Sequence, residues 1–371
     1  MDWYGSRSGE RFAFRRVTWP GWEEAEEYDQ ITGGSLELSA FSDLKAVGSL
    51  SFDGASAPDD RDLVRVYYGF TDEFLDTVEV PMATLFFSVS EPTYSGSTVS
   101  GTMECSSVLQ VLSRKVYGMP FTVAAGTQAV KLAIELVESL GLRVNNPNPS
   151  AYTVKNDYTF DSKDSYLKIV NWLLESAGFS SCWPDPYGVV QMCEYAEPLE
   201  RPVSMTFADD DQSIMYPEVT PKNDYQSTPN VCRVAYETED ESMWASAANV
   251  DPDSRASLVN RKQESTLYES VSELDGDTPD ERLADLKAAA LKKLVDNSSD
   301  IEYVTMAHAW LPVMPNDAVG IEYRAAGLSW RGAVTNLSID LECGVPCQLT
   351  ARRFVRTGIK TETKGGVLWH A

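Results

Sequence analysis

From Arg11 to Cys105 the chain repeats one device: short runs of alternating apolar and polar residues, separated by glycine, proline and aspartate. A period of two sends successive side chains to opposite faces, so such runs suit half-buried strands. Several short ones in succession suggest a sandwich or barrel. Arg11–Trp19 is rich in aromatic and β-branched residues. Ser35–Ser39, Gly48–Gly54, Asp62–Gly69, Thr84–Val89 and Thr98–Cys105 continue the pattern.

The texture changes near residue 106. Ser106–Val116 suits a short helix and Pro120–Val123 a short strand. Over Thr127–Leu140, Ala129, Val130, Ala133, Ile134, Val137 and Leu140 form one apolar stripe, which predicts a helix ended by Gly141 in the left-handed position. A similar unit follows. Tyr158–Phe160 reads as a strand, and Asp164 or Ser165 can cap a helix running to Ala177 before Gly178. Ser180–Tyr195 reads as a hairpin around Pro184–Gly188. Both helices end in glycine and an apolar residue, Gly141-Leu142 and Gly178-Phe179, which suggests two small α/β modules.

Strands return from about residue 200. Val203–Phe207, Asn230–Tyr236, Tyr303–Ala307, Ala318–Tyr323, Leu328–Val334, Leu337–Leu341 and Gln348–Phe354 all carry strand character. Residues 238–265 are polar and aperiodic, so an exposed excursion is expected there, reaching to about residue 275. Thr278-Pro279-Asp280-Glu281 is a capping box with proline at the first helical position. Leu283, Leu286, Ala290, Leu291 and Leu294 then predict a helix over about 278–296. From Thr357 the chain is polar and contains glycine, which predicts a mobile end. The expected class is α+β, mainly β.

Composition narrows the function. The 371 residues carry 31 Lys and Arg against 56 Asp and Glu, a net charge of −25. Stable nucleic-acid binding needs cations on the phosphates and is not expected. Two readings of the acidity stay open: a well-solvated surface, or a channel wall that DNA passes without sticking. No apolar run of about 20 residues occurs, so no membrane span is expected. The start, Met1 to Ser6, has no basic-then-apolar pattern, so synthesis in a cytoplasm without a secretory signal is expected.

No catalytic, cofactor-binding or metal residue is assigned. His308 lies in an apolar context, and no nucleophile-turn motif accompanies it, so a structural role is expected. Cys343 and Cys347 form a lone C-x3-C with no second pair nearby; zinc would need two more ligands, and of the only histidines, His308 and His370, the second lies in the end expected to fray, so no metal site is expected. Cys105, Cys182, Cys193 and Cys232 are scattered, and free thiols are expected throughout. Gly33-Gly34-Ser35 and Gly365-Gly366 do not precede a helix, as a phosphate loop must. Asp209-Asp210-Asp211 lacks the spaced ligands of a calcium loop and reads as a solvated turn. Glycoside hydrolysis needs only two placed carboxylates. With 56 acids, composition argues neither for it nor against it. Tyr67, Tyr68, Trp172, Tyr236 and Trp330 fall inside periodic segments, which favours packing over a sugar-binding face.

The order of segments carries a resemblance. Asp62–Val66, Thr84–Phe87, Gly101–Cys105 and Val108–Leu112 resemble the first barrel of phage tail hub (baseplate hub) proteins, where a strand leads into a short helix leaving the barrel. Phe121–Thr127 with its helix is similar to the next module, and Asn171–Phe179 with Gly188–Met192 to the one after. Thr228–Val234 resembles the start of the second barrel, and Leu311–Val319 its late strand. The resemblance implies two tube-like β-barrel domains, over 1–105 and 201–371, with the two α/β modules, 106–200, between them. It implies a non-enzymatic structural protein of the virion tail tip. Three chains would form a ring of six barrels around the DNA exit path. Tail tube and distal tail proteins would lie on one side and tip or fibre proteins on the other, with DNA in passage only. The alternative is a carbohydrate-binding or glycoside-hydrolysing tail protein.

Overall fold

The computed structural model describes residues 8–59, 61–71, 76–196, 200–210, 215–223, 228–237, 241–271, 274, 276, 278–297, 300–355 and 360–370. The fold is α+β and mainly β. It divides into two compact units, Met1–Val219 with Thr305–Ala351, and Thr220–Val304 with Arg352–Ala371.

The first unit begins with seven strands: Ser8–Val17 (β1), Glu24–Glu27 (β2), Ile31–Ser39 (β3), Ala46–Gly54 (β4), Leu63–Thr71 (β5), Thr77–Ser95 (β6) and Thr98–Ser107 (β7). Mixed structure follows: Leu109–Arg114 (α1), Phe121–Val123 (β8), Ala129–Glu138 (α2), Val144–Asn145 (β9), Tyr158–Phe160 (β10), Tyr166–Ser176 (α3), Trp183–Pro184 (β11) and Val190–Gln191 (β12). Next come Met205–Ala208 (β13) and Met215–Asn223 (β14). The second unit then holds Val231–Glu237 (β15), Glu241–Asn249 (β16), Leu258–Arg261 (α4), Thr266–Val271 (β17) and Pro279–Asn297 (α5). The chain continues through Asp300–His308 (β18), Ala318–Tyr323 (β19), Leu328–Asp340 (β20), Cys347–Val355 (β21) and Thr361–His370 (β22). The division between units falls within β14, β18 and β21.

The large sheet follows the order β14-β18-β21-β20-β3-β4-β7-β6-β5-β1-β2, with β19 beside β20 and β13 beside β19. No strand closes this path among the described residues. Period-two alternation sets the faces: Leu36 and Leu38 are buried while Glu37 between them is exposed. Gly34, at φ +145°, sits where β3 and β4 approach closely, and a Cβ there would lie 2.1 Å from the Ser49 carbonyl oxygen. Glycine is a packing requirement at that point.

The predicted helices α2 and α3 form with the apolar faces read from the sequence. Ser165 caps α3 by accepting the Lys168 N–H at 3.3 Å. Gly141 and Gly178 follow them at φ +77° and +79°. The two α/β modules share one hydrophobic core, in which Leu112, Val137, Val170, Leu173 and Met192 belong to a single cluster. β8 pairs with β10, and β9 with β12, so each module supplies part of the other's sheet.

In the second unit β17-β15-β16-β22 form a four-stranded sheet. Helix α5 lies on one face, burying Leu286, Ala290 and Leu294 against Cys232, Val234, Met243, Ala245 and Ala247. The capping box forms: Glu281 Oε2 accepts the Thr278 N–H at 2.9 Å, and Thr278 Oγ1 accepts the Glu281 N–H at 3.3 Å.

Two expectations are corrected here. Residues 241–265 are not an exposed excursion. β16 lies at the centre of the sheet, and the following loop folds on its own polar side chains. Asn230 Nδ2 donates to the carbonyls of Ala256 and Gln263 at 3.0 and 2.9 Å, and its Oδ1 accepts the Ser265 N–H at 2.8 Å. Asn249 Nδ2 donates to Ser254 Oγ at 3.1 Å, and both residues are buried. Polar residues went inside because each found backbone or hydroxyl partners locally. Within the end expected to be mobile, Thr361–His370 is a strand, because β22 pairs there with β16. Residues 238–240, 272–273, 275, 357–359 and 371, which belong to those expectations, lie outside the described residues.

Candidate functional site

The sheet of the second unit has a second face, and sequence periodicity dictates what stands on it. With Cys232, Val234, Met243, Ala245 and Ala247 committed to α5, the alternate residues must point the other way. The strand registers arrange them in rows. Tyr268, Arg233, Ser246 and Lys364 form one row across β17, β15, β16 and β22, and Ser270, Ala235, Trp244 and Gly366 the next. Thr266, Val231, Ala248 and Glu362 form a third. A groove of about 690 Å³ runs over this lattice. Tyr268 is 68% and Trp244 36% exposed. Arg233 ties the groove wall together, bonding Glu264 at 2.7 Å and donating to the Tyr268 hydroxyl at 3.2 Å. A face of this kind can bind.

Most of the residues singled out by sequence serve the fold. His308 is buried, with its ring 4.8 Å from that of Phe207. Its Nδ1 lies 2.6 Å from the Ala309 carbonyl, which can only accept, so Nδ1 carries the proton. Cys343 is exposed and donates to the Glu10 carbonyl at 3.0 Å, whereas Cys347 is buried. All six cysteines are free. Among the described residues no group of three or more His, Cys, Asp or Glu is placed to hold a metal. Asp209 accepts the N–H groups of Arg324 and Ala325, each at 2.8 Å, so it anchors a turn. These bonds hold its carboxyl below the usual range. Asp211 lies outside the described residues. Gly33 and Gly34 belong to β3 and Gly365 and Gly366 to β22, away from any helix start. Tyr67, Tyr68 and Trp330 are buried, Trp172 stacks on Tyr158 at 4.5 Å, and Tyr236 packs against the α5 core.

One pair of carboxylates in the first unit merits comparison with a glycosidase pair. Glu24 and Glu79 are both bonded by Arg15, the Glu24 contact at 2.9 Å. Glu24 also accepts from Arg65 at 2.7 Å and from the Tyr67 hydroxyl at 2.7 Å, and Arg11 takes the second oxygen of Glu79. These partners hold Glu24 below the usual range against the opposing effect of burial. A general acid needs a raised pKa. The network is built to keep Glu24 ionised, so it braces β1, β2, β5 and β6. Lys45 is another cation held by the fold: burial lowers its pKa, and its Nζ donates to the Ala40 carbonyl at 2.8 Å.

Sequence reading missed Trp244 and Tyr268 because both lie in the stretch taken for an excursion. The signal was present. Met243, Ala245 and Ala247 alternate with Trp244, Ser246 and Ala248, but three alanines and a serine blur the contrast.

No family model matches the chain, and no curated protein matches it in sequence. Its fold does match solved structures. A tail protein from Neisseria meningitidis MC58 has a TM-score of 0.61, with 12% identity over 94% of this chain and 97% of that one. The 43 kDa tail protein of prophage MuSo2 from Shewanella oneidensis also has a TM-score of 0.61, with 11% identity over 94% of this chain and 98% of that one. A chain of the Francisella PdpA-VgrG complex has a TM-score of 0.57 at 6% identity, covering 94% of this chain and 58% of that chain. At these identities the likeness is one of fold. Among the described residues no helix is long and apolar enough to cross a membrane.

Proposed function

We propose that the chain is a structural protein of a phage-type tail and serves as its hub. In this reading three copies form a ring that joins the tail tube to tip or fibre proteins and surrounds the DNA exit path. The observation that carries it is the fold, shared along 94% of the chain with two tail proteins that are themselves covered almost completely. Both ranges expected to form barrels are rich in strands, β1–β7 in the first and β13–β22 in the second, which is in keeping with it. The net charge of −25 is in keeping with a lumen that DNA crosses without adhering. No catalytic residue, cofactor or metal enters the reading, and the protein would reside in the tail of the virion after synthesis in the host cytoplasm.

The test is negative-stain electron microscopy of the purified chain with its mass measured in solution, alone and with the tail-tube protein. Three-fold rings with an open centre and about three chain masses are expected. A chain that stays monomeric in both conditions would overturn the hub.

A further inference from the structure

Building on the ring reading above, we propose that the open face of the β17-β15-β16-β22 sheet is the surface on which a second copy of the chain docks. Two copies at −25 each repel, and the repulsion at contact is least where the meeting surface is locally balanced in charge. This face is such a place. Its groove is lined by Arg233 and Lys364 and by Glu264 and Glu362, two cations against two carboxylates. A third carboxylate of the lining, Glu269, is balanced by its own bond to Lys293 of α5 at 2.8 Å. A cationic partner would be drawn to the acidic surface at large and would gain nothing from a neutral patch. An equally acidic partner needs one, and a copy of this chain is such a partner.

The chemistry of the face fits a protein contact. Trp, Tyr and Arg dominate the energetics of protein interfaces because they bury large area at small entropic cost. Trp244, Tyr268 and Arg233 stand together here, and Arg233 is already fixed by its bonds to Glu264 and Tyr268. Pre-organised side chains lose less freedom on association. Between the rings, Ala235, Ser246 and Ala248 are small, and the space above them admits a side chain of the neighbour. The contact is heterologous, as a closed ring requires: this face on one copy meets a different surface on the next.

The experiment compares the wild-type chain with Trp244→Ala and Tyr268→Glu by solution mass across a dilution series and by electron microscopy. Circular dichroism melts check that each variant folds. The inference expects a wild-type trimer and an association weakened by about 100-fold or more in each variant, as for loss of a central hot spot. A wild-type trimer with unweakened variants overturns the inference and leaves the ring reading standing. A wild-type chain that is monomeric with and without the tail-tube protein overturns the ring reading, and this assignment with it. Hydroxyl-radical footprinting of the wild type decides independently of variant folding. Trp244 and Tyr268 should be shielded in the assembled sample and oxidised in the dilute one, and equal oxidation in both overturns the assignment. Variants that keep the ring but lose retention on immobilised polysaccharide would give the face to a glycan, which also overturns it.

Discussion

Burial decides the behaviour of single residues in ways their identity does not announce. The thiols of Cys105, Cys182 and Cys347 are each pushed up to about 12 by burial, as is the Tyr28 phenol. Only the thiolate alkylates. At about pH 8, iodoacetamide is expected to modify Cys343, which is exposed, and to spare Cys105, Cys182 and Cys347 until urea is added. Peptide mass mapping reads this directly. The same shifts make stability depend on pH. In these four groups the fold favours the neutral form, so their contribution is complete below the unfolded pKa values, about 8.5 for a thiol and about 10 for the phenol. It is lost as pH rises towards about 12. The urea midpoint should therefore fall steadily above about pH 9, and a flat profile there would contradict the burial of these groups. Gly34→Ala tests a steric demand. The added Cβ meets backbone at 2.1 Å, and a loss of about 1–3 kcal/mol or more in urea unfolding is expected.

Elements owe their positions to packing more than to local preference. Helix α5 shows both contributions. Its start was legible because a capping box is a local device, closed within Thr278–Glu281. Thr278→Ala is expected to cost about 1 kcal/mol. Its place on the sheet rests instead on Leu286, which is fully buried against β15 and β16. Leu286→Ala is expected to cost about 2–5 kcal/mol, with hydrogen-exchange protection lost first in β15, β16 and β22. Strand β16 is the converse case. Nothing within Glu241–Asn249 marks it as central, and its partners are drawn from Val231–Glu237 and Thr361–His370. The small alanines that weaken its periodic signal are what α5 needs in order to pack closely over it.

For the whole molecule, charge governs association. Any assembly of copies at −25 works against long-range repulsion, which salt screens. Raising ionic strength from about 0.01 M to about 1 M shortens the screening length from about 30 Å to about 3 Å. Self-association is therefore expected to strengthen with salt when followed by sedimentation. Association that weakens with salt would mean that attraction between opposite charges dominates the contact.

Read alone, the sequence determined the class of fold and the helices α2, α3 and α5 with their buried faces. Each of these is written in spacing of a few residues, where a helix turn, a strand pleat or a cap acts. Segment order also carried the likeness to tail proteins that the fold comparison shares. Only the tertiary structure decided that the two α/β modules have one core, that Asn230 and Asn249 are interior, and that Trp244 and Tyr268 stand on one open face. Those outcomes depend on pairings between residues far apart in the chain. A side chain's surroundings are then set by the strand beside it, and no window on the sequence contains that neighbour.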